Sequence, residues 1–186
     1  MSVIGWREDA QLEKEIHDKR HHDTGYQLDL RETDLRGIDI NGLNFNRANL
    51  TWAHLEGANL SGAHLEGAVL SEAHLEGAYM TKAHLEGAIL SEAHLEGAIL
   101  LDAHLENSTS FSMTNFQTVM LKEVNLSTVN ISHEQVKSSF GVGSVTLPEG
   151  MGWPEHWPEH KLEWPDFHEE NRKWRENPEG YKPPKK

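Results

Sequence analysis

The 186 residues include 17 Lys and Arg against 30 Asp and Glu, for a formal charge of −13, with 13 His, six Trp and no Cys. That length suits one domain with a sizeable core, and the lack of cysteine excludes a disulfide framework, thiolate zinc sites and a cysteine nucleophile. The acidic balance argues against direct nucleic-acid binding. No run of about 18 apolar residues could span a membrane, and the start MSVIGWREDA lacks the apolar stretch of a secretory signal, so a cytoplasmic location is expected.

Residues 1–27 precede the repeat described below. Within them Glu8 to Arg20 places Leu12 and Ile16 at i, i+4, the spacing of a short helix. This segment is expected to be an N-terminal arm or a capping helix, since the open end of a stacked fold exposes core and unpaired strand edges.

From 28 to 131 the chain repeats every five residues. AHLEG starts at Ala53, Ala63, Ala73, Ala83 and Ala93, AHLEN follows at Ala103, and related pentads such as ANLSG, AVLSE and AILLD alternate with them. Large apolar residues recur from Leu30 every fifth position to Leu105; one residue is then inserted, and the series resumes at Phe111 and runs to Ile131. Period five fits neither a helix, at 3.6, nor a plain strand, at 2, and excludes a heptad coiled coil. Ala and Leu lie two apart, so in extended backbone they point to the same side. The following Glu-Gly suits the centre of a type II turn, with Gly at φ > 0. Each pentad is thus a very short strand and a corner, and successive corners stack the chain into a solenoid.

On these residues the chain resembles the pentapeptide-repeat proteins, bacterial members in particular, from Leu28 to about Val136. The resemblance implies an all-β fold: a right-handed quadrilateral β-helix, here of about five coils with four pentads each, with short helical caps and a Trp/Pro-rich tail. One departure is His where the family usually has Asp or Asn before Leu. With four pentads per coil, residues 20 apart stack. Two opposite faces then carry His54, His74 and His94 beside Glu56, Glu76 and Glu96, and His64, His84 and His104 beside Glu66, Glu86 and Glu106. Of the other two faces, one carries Val69 and Ile89, the other Tyr79, Ile99 and Met120, flanked by Leu101.

Imidazole and carboxylate both ligate zinc, copper or nickel, so the His/Glu columns raise metal binding or a pH-responsive surface as an alternative function. A bound metal wants a convergent cluster with supporting partners rather than a flat ladder, and duplication of a ten-residue unit also generates such columns. No metal, cofactor or catalytic residue is therefore expected; P-loop, dinucleotide-binding, HExxH and GxSxG patterns are missing from the sequence. Outward apolar residues are more informative, because a contiguous exposed apolar patch marks an interaction surface. Val69, Ile89, Tyr79, Ile99, Leu101 and Met120 form the candidate surface for a protein partner, with cover by the chain's own ends or by a second copy in a dimer as the other possibility. The family resemblance adds a rival, mimicry of DNA to bind DNA gyrase, as in quinolone-resistance members. A rod of about 25 Å would match only about seven base pairs of duplex.

Residues 132–150 should close the repeat. Ser132-His133-Glu134-Gln135 has capping-box spacing, which predicts a helix from about His133 to Phe140 with Val136 and Phe140 facing the last coil, stopped by Gly141 and Gly143. Residues 151–186 form the tail. Pro after Trp bars a continuous helix through WPEHWPEH, whereas Asp166 to Arg175 can be helical. Trp153, Trp157, Trp164 and Trp174 are too many rings for a disordered tail and are expected to pack on the rod and its C-terminal end.

Overall fold

The computed structural model describes residues 28–106 and 109–185; the arm expected over 1–27, with its helix, lies outside them. Each pentad adopts the same local structure. Leu55 N donates to His74 O at 2.7 Å, His74 N to Ala53 O at 2.9 Å, and Gly57 N to Glu76 O at 2.9 Å. Ala58 N closes the corner by donating to Leu55 O at 3.0 Å. Repeated pentad by pentad, these bonds make parallel bridges between residues 20 apart, such as His54 with His74 and Val69 with Ile89. Ala and Leu of the repeat fill the interior and are fully shielded from solvent through the middle of the rod, from Ala48 to Leu100.

The second corner residue takes a left-handed backbone, as a type II turn requires. Glycine supplies it at Gly57 (φ 67°) and Gly67 (φ 65°), but Glu72, Lys82, Glu92 and Trp52 adopt φ of 56–62° with side chains attached. L-residues pay roughly 1–2 kcal/mol for that conformation, a cost that the inter-coil bonds on either side override.

The extra residue after Leu105 shifts the register from 20 to 21. His84 still pairs with His104, but Ile89 pairs with Ser110 and His94 with Asn115, and Ser110 then pairs with Asn130 at 20 again. Thr109 and Thr114, at positions held by Ala from Ala48 to Ala103, bury hydroxyls that donate to Leu85 O at 2.6 Å and Leu90 O at 2.5 Å. A second shift, not evident in the sequence, follows Gly141, since Leu121 still pairs with Gly141 at 20 but Asn125 pairs with Thr146.

Three outward strands make a small parallel sheet: β1 (Ile99–Leu101), β2 (Met120–Lys122) and, after helix α1 (His133–Ser138), β3 (Phe140–Gly141). Helix α1 begins with the expected capping box: Gln135 N donates to Ser132 Oγ and Ser132 N to Gln135 Oε1. It ends sooner than expected. Ser139 is already extended, and Phe140 pairs with Met120 as a strand residue instead of sharing a helix face with Val136. Gly141 and Gly143 are therefore not helix stops. A Cβ at Gly141 would meet the Trp157 ring at 2.5 Å, and one at Gly143 would collide with Glu159 O. These glycines admit the tail. Helix α2 (Trp164–Glu176), slightly longer than expected, carries Pro165 in its first turn and buries Phe167, Asn171 and Trp174.

Candidate functional site

The four outward faces separate into three kinds of surface. The first is the tail-covered face. Ile99 and Leu101 of β1, Met120 of β2 and Phe140 of β3 meet Leu162, Phe167, Trp174 and Tyr181 in one cluster. Phe140 lies 5.5 Å from Trp174 and 5.7 Å from Phe167 between ring centres. Met120 is only 4% exposed and belongs to no open surface, which corrects its assignment to a partner-binding patch; Ile99 and Leu101 are half-buried by the same contacts. The cause is the tail, which supplies the rings that these outward side chains need. Tyr79, one coil earlier in the same column, stays open at 51% exposure.

The tail is tied down by polar contacts as well. Trp157 is buried on the main core and donates Nε1–H to Ser139 O at 2.9 Å, and Trp153 stands edge-on to it at 5.3 Å and donates to its carbonyl. His156 Nε2 reaches the same Ser139 O at 2.8 Å while its ring stacks on Trp174 at 4.8 Å. Burial pushes the His156 imidazole below its ordinary pKa, although the Ser139 carbonyl favours the cation. Tyr181 donates to Glu170 at 2.8 Å, and its burial raises the phenol strongly. Lys161 pairs with Glu123 across the tail and rod. Trp164 behaves differently from the other three expected tail contacts: it is 43% exposed, tilted beside Phe167 and His168.

The second surface is the face that holds Asn49, Val69 and Ile89. Ile89 is 41% exposed and Val69 half-buried. At the corner leading from this face to the His54 column stands Trp52, 49% exposed and left-handed. Sequence reasoning passed over Trp52. The available signal was a bulky ring at a corner position that elsewhere in the repeat holds mostly Gly or a charged residue.

The third kind comprises the two histidine faces. Imidazoles of successive coils stack nearly parallel, His54 on His74 and His74 on His94 at 4.8 Å, His64 on His84 at 4.6 Å and His84 on His104 at 4.5 Å. This is the strand spacing imposed on side chains. In five of the six pentads Nδ1 faces the glutamate two residues on. The separation is 3.1 Å for His54–Glu56 and His64–Glu66, 3.2 Å for His74–Glu76, and 3.6 Å for His84–Glu86 and His94–Glu96. The other carboxylate oxygen, Oε2, of Glu56, Glu66, Glu76, Glu86 and Glu96 is buried without a hydrogen-bond partner. Burial alone would raise Glu56, but its own backbone amide and His54 outweigh it and hold the carboxyl below its usual range. The first column is bounded by Asp34, held at about 2 by the Arg36 guanidinium, and by Asn115.

The family model described as "Pentapeptide repeats (8 copies)" matches residues 29–51, 48–87 and 88–127. The chain belongs to the pentapeptide-repeat family. Its fold is the family's right-handed β-helix, with histidine standing at many of the outward positions before the central Leu. A pentapeptide-repeat protein of the Arabidopsis thaliana thylakoid lumen is 27% identical, covering 67% of this chain and 79% of its own, with a TM-score of 0.40. Rfr23 from the cyanobacterium Cyanothece 51142 is 25% identical over 64% and 84% of the two chains, with a TM-score of 0.42. A pentapeptide-repeat protein from Nostoc PCC 7120 is 21% identical over 77% and 87%, also at 0.42. No curated protein matches the chain. No helix among the described residues is long and apolar enough to cross a membrane.

Proposed function

We propose that this chain is a non-enzymatic scaffold, a quadrilateral rod of about five coils, that presents the Val69/Ile89 face and its Trp52 corner to a protein partner. The observation that carries the reading is the exposure of Trp52 and Ile89, 49% and 41%, at outward positions that the β-helix could fill with polar side chains. The comparable apolar column on the opposite face is covered by the tail; this one is open. Tyr79 extends the tail-covered face beyond the end of its cover and offers a second, smaller contact. Repetition supplies many equivalent pentads rather than one convergent set of nucleophile, base and orienting group, which favours recognition over catalysis. Trp is among the residue types that carry most interface energy, and Ile89 adds apolar area beside it.

The test is site-specific photocrosslinking in the native cell, with the reactive residue placed at Ile89 and, as control, at Glu106 on another face. A discrete adduct from position 89 that disappears with Trp52→Ala supports the scaffold reading. Equal adducts from both positions, or an adduct of twice the chain's own mass, would replace it with general stickiness or with a dimer. A gyrase supercoiling assay with purified protein checks the DNA-mimic rival; inhibition there would move the function to the rod's acidic surface.

A further inference from the structure

The two histidine ladders are built more like ion sites than a solvated face requires. Three imidazoles, His54, His64 and His74, are oriented by a carboxylate hydrogen bond at Nδ1 of 3.1–3.2 Å, and His84 and His94 face theirs at 3.6 Å. A neutral ring that donates Nδ1–H to Glu carries its lone pair on Nε2, the arrangement in which protein histidines bind metals. Three grounds in the sequence stand against metal, a flat ladder instead of a convergent cluster, the lack of supporting partners, and duplication of a ten-residue unit; the glutamates answer the second. Stacking sets neighbouring rings 4.5–4.8 Å apart, and His54/Glu56/His74, His64/Glu66/His84, His74/Glu76/His94 and His84/Glu86/His104 each bring three candidate donor atoms within 4.8 Å of one another.

Two nitrogens on one tetrahedral ion, each about 2.0 Å from it, stand about 3.3 Å apart. Closing a rung therefore needs about 1.2–1.5 Å of approach and a rotation of both rings that turns their in-plane lone pairs toward one point, motions open to half-exposed rings that can turn about their side-chain bonds. Charge also favours a cation. Five buried Oε2 atoms lack partners, and the His54/His74/His94 ladder lines a shallow depression of about 390 Å³ with Glu32, Glu72 and Trp52.

We propose that each ladder binds a divalent transition-metal ion of the zinc, copper or nickel class through Nε2 of two histidines in adjacent coils. The paired glutamates hold the imidazoles from behind, and water completes the coordination. With three histidines per column, each column takes one ion at the upper or the lower rung pair, two ions per chain. Imidazole selects these metals over calcium and magnesium, which prefer all-oxygen shells.

The arrangement predicts an effect of position that a set of independent surface histidines would not show. His74 and His84 are the middle rungs. Replacing both with Gln leaves His54 with His94, and His64 with His104, two coils apart and unable to share an ion. Replacing the end rungs instead, with His54→Gln and His104→Gln, keeps one adjacent pair in each column. Titration calorimetry of the full chain with zinc chloride alone should give about two ions per chain. The end-rung double variant should bind within a fewfold of the parent, and the middle-rung variant at least tenfold more weakly. Copper(II) bound to the parent should show two nitrogen ligands by electron paramagnetic resonance, and one or none in the middle-rung variant. Melting curves check that each variant is folded; were the middle-rung variant unfolded, the single variants His74→Gln and His84→Gln, each silencing one column and halving the stoichiometry, decide. Equal loss in middle-rung and end-rung variants, undiminished zinc binding in the middle-rung variant, or no saturable binding to the parent would each overturn the proposal.

Discussion

Gly141 lies directly against the six-membered ring of Trp157, so that a methyl group placed on it would come within 2.5–2.7 Å of three ring carbons. Trp157 is the largest fully buried side chain among the described residues, and its Nε1–H is spent on Ser139 O. Gly141→Ala must therefore move the ring or the strand. Overpacking of this kind costs about 1–3 kcal/mol. The expected outcome is a lower denaturation midpoint with a red-shifted tryptophan emission as Trp157 becomes wetter. Parent-like emission and stability would mean that the tail does not seat on the last coil in this way.

A contrast between two corners isolates backbone strain from packing. Gly57 has φ of 67° and open space where a Cβ would stand, so Gly57→Ala introduces left-handed strain and nothing else. It should cost roughly 1 kcal/mol. Glu72 already holds φ of 56° with a side chain present, so Glu72→Ala should stay within about 0.5 kcal/mol of the parent. Chemical denaturation of the two variants side by side checks the difference.

Acid should loosen the tail before the rod. The His156 ring is neutral in the folded state because burial lowers its pKa below the ordinary 6.5. The unfolded or undocked chain takes up a proton at about pH 6.5 while the docked ring resists it. The stabilisation is thus fully present above about 6.5 and is lost as pH falls through the lowered folded value. Limited proteolysis between pH 7.5 and 5 should show cleavage within 151–186 rising before the rod is cut, and His156→Asn should flatten that dependence. A pH-independent digestion pattern in the parent would contradict it.

Much of this architecture is legible in the chain because the pentad is a local code. Ala and Leu two apart fix which side chains go inside, Gly after Glu fixes the corner, and the register follows by repetition. The stacking of His54, His74 and His94 could be read from the number 20 alone. The capping box at Ser132 and Gln135 was equally local. Legibility failed where one segment answers to another far away. Phe140 reads as a helix residue beside Val136 and becomes a strand residue because Met120 is available to pair with it. Gly141 reads as a stop signal and is a seat for Trp157. Met120 reads as exposed because its outward position is exposed elsewhere in the repeat, and only the packing of α2 shows otherwise. The glutamate contacts that orient the imidazoles were beyond pattern reasoning too, since they depend on side-chain rotamers.

The remaining prediction concerns the tail as a whole. Removing residues 151–186 uncovers Ile99, Leu101, Met120 and Phe140 on one face, and Gly141 and the end of the main core that Trp157 joins. Full burial of one such side chain is worth about 1.5–3 kcal/mol, so the losses on both sides of the interface add up to several kcal/mol at least. They are offset in part by the entropy that the freed tail regains. The truncated rod should melt at a lower temperature, bind a hydrophobic dye, and tend to associate through the bared strands. Phe140→Ala in the full chain provides an intermediate case, since it removes one ring from beneath Phe167 and Trp174 while Trp157 stays in place. Its destabilisation should fall within about 3–5 kcal/mol, as for other buried rings, and should remain smaller than that of the deletion. A truncated chain as stable and as monomeric as the parent would mean that the tail contributes nothing to the rod and is free to serve a partner, and the Trp153 and Trp164 rings would then become the surface to probe in place of Ile89 and Trp52.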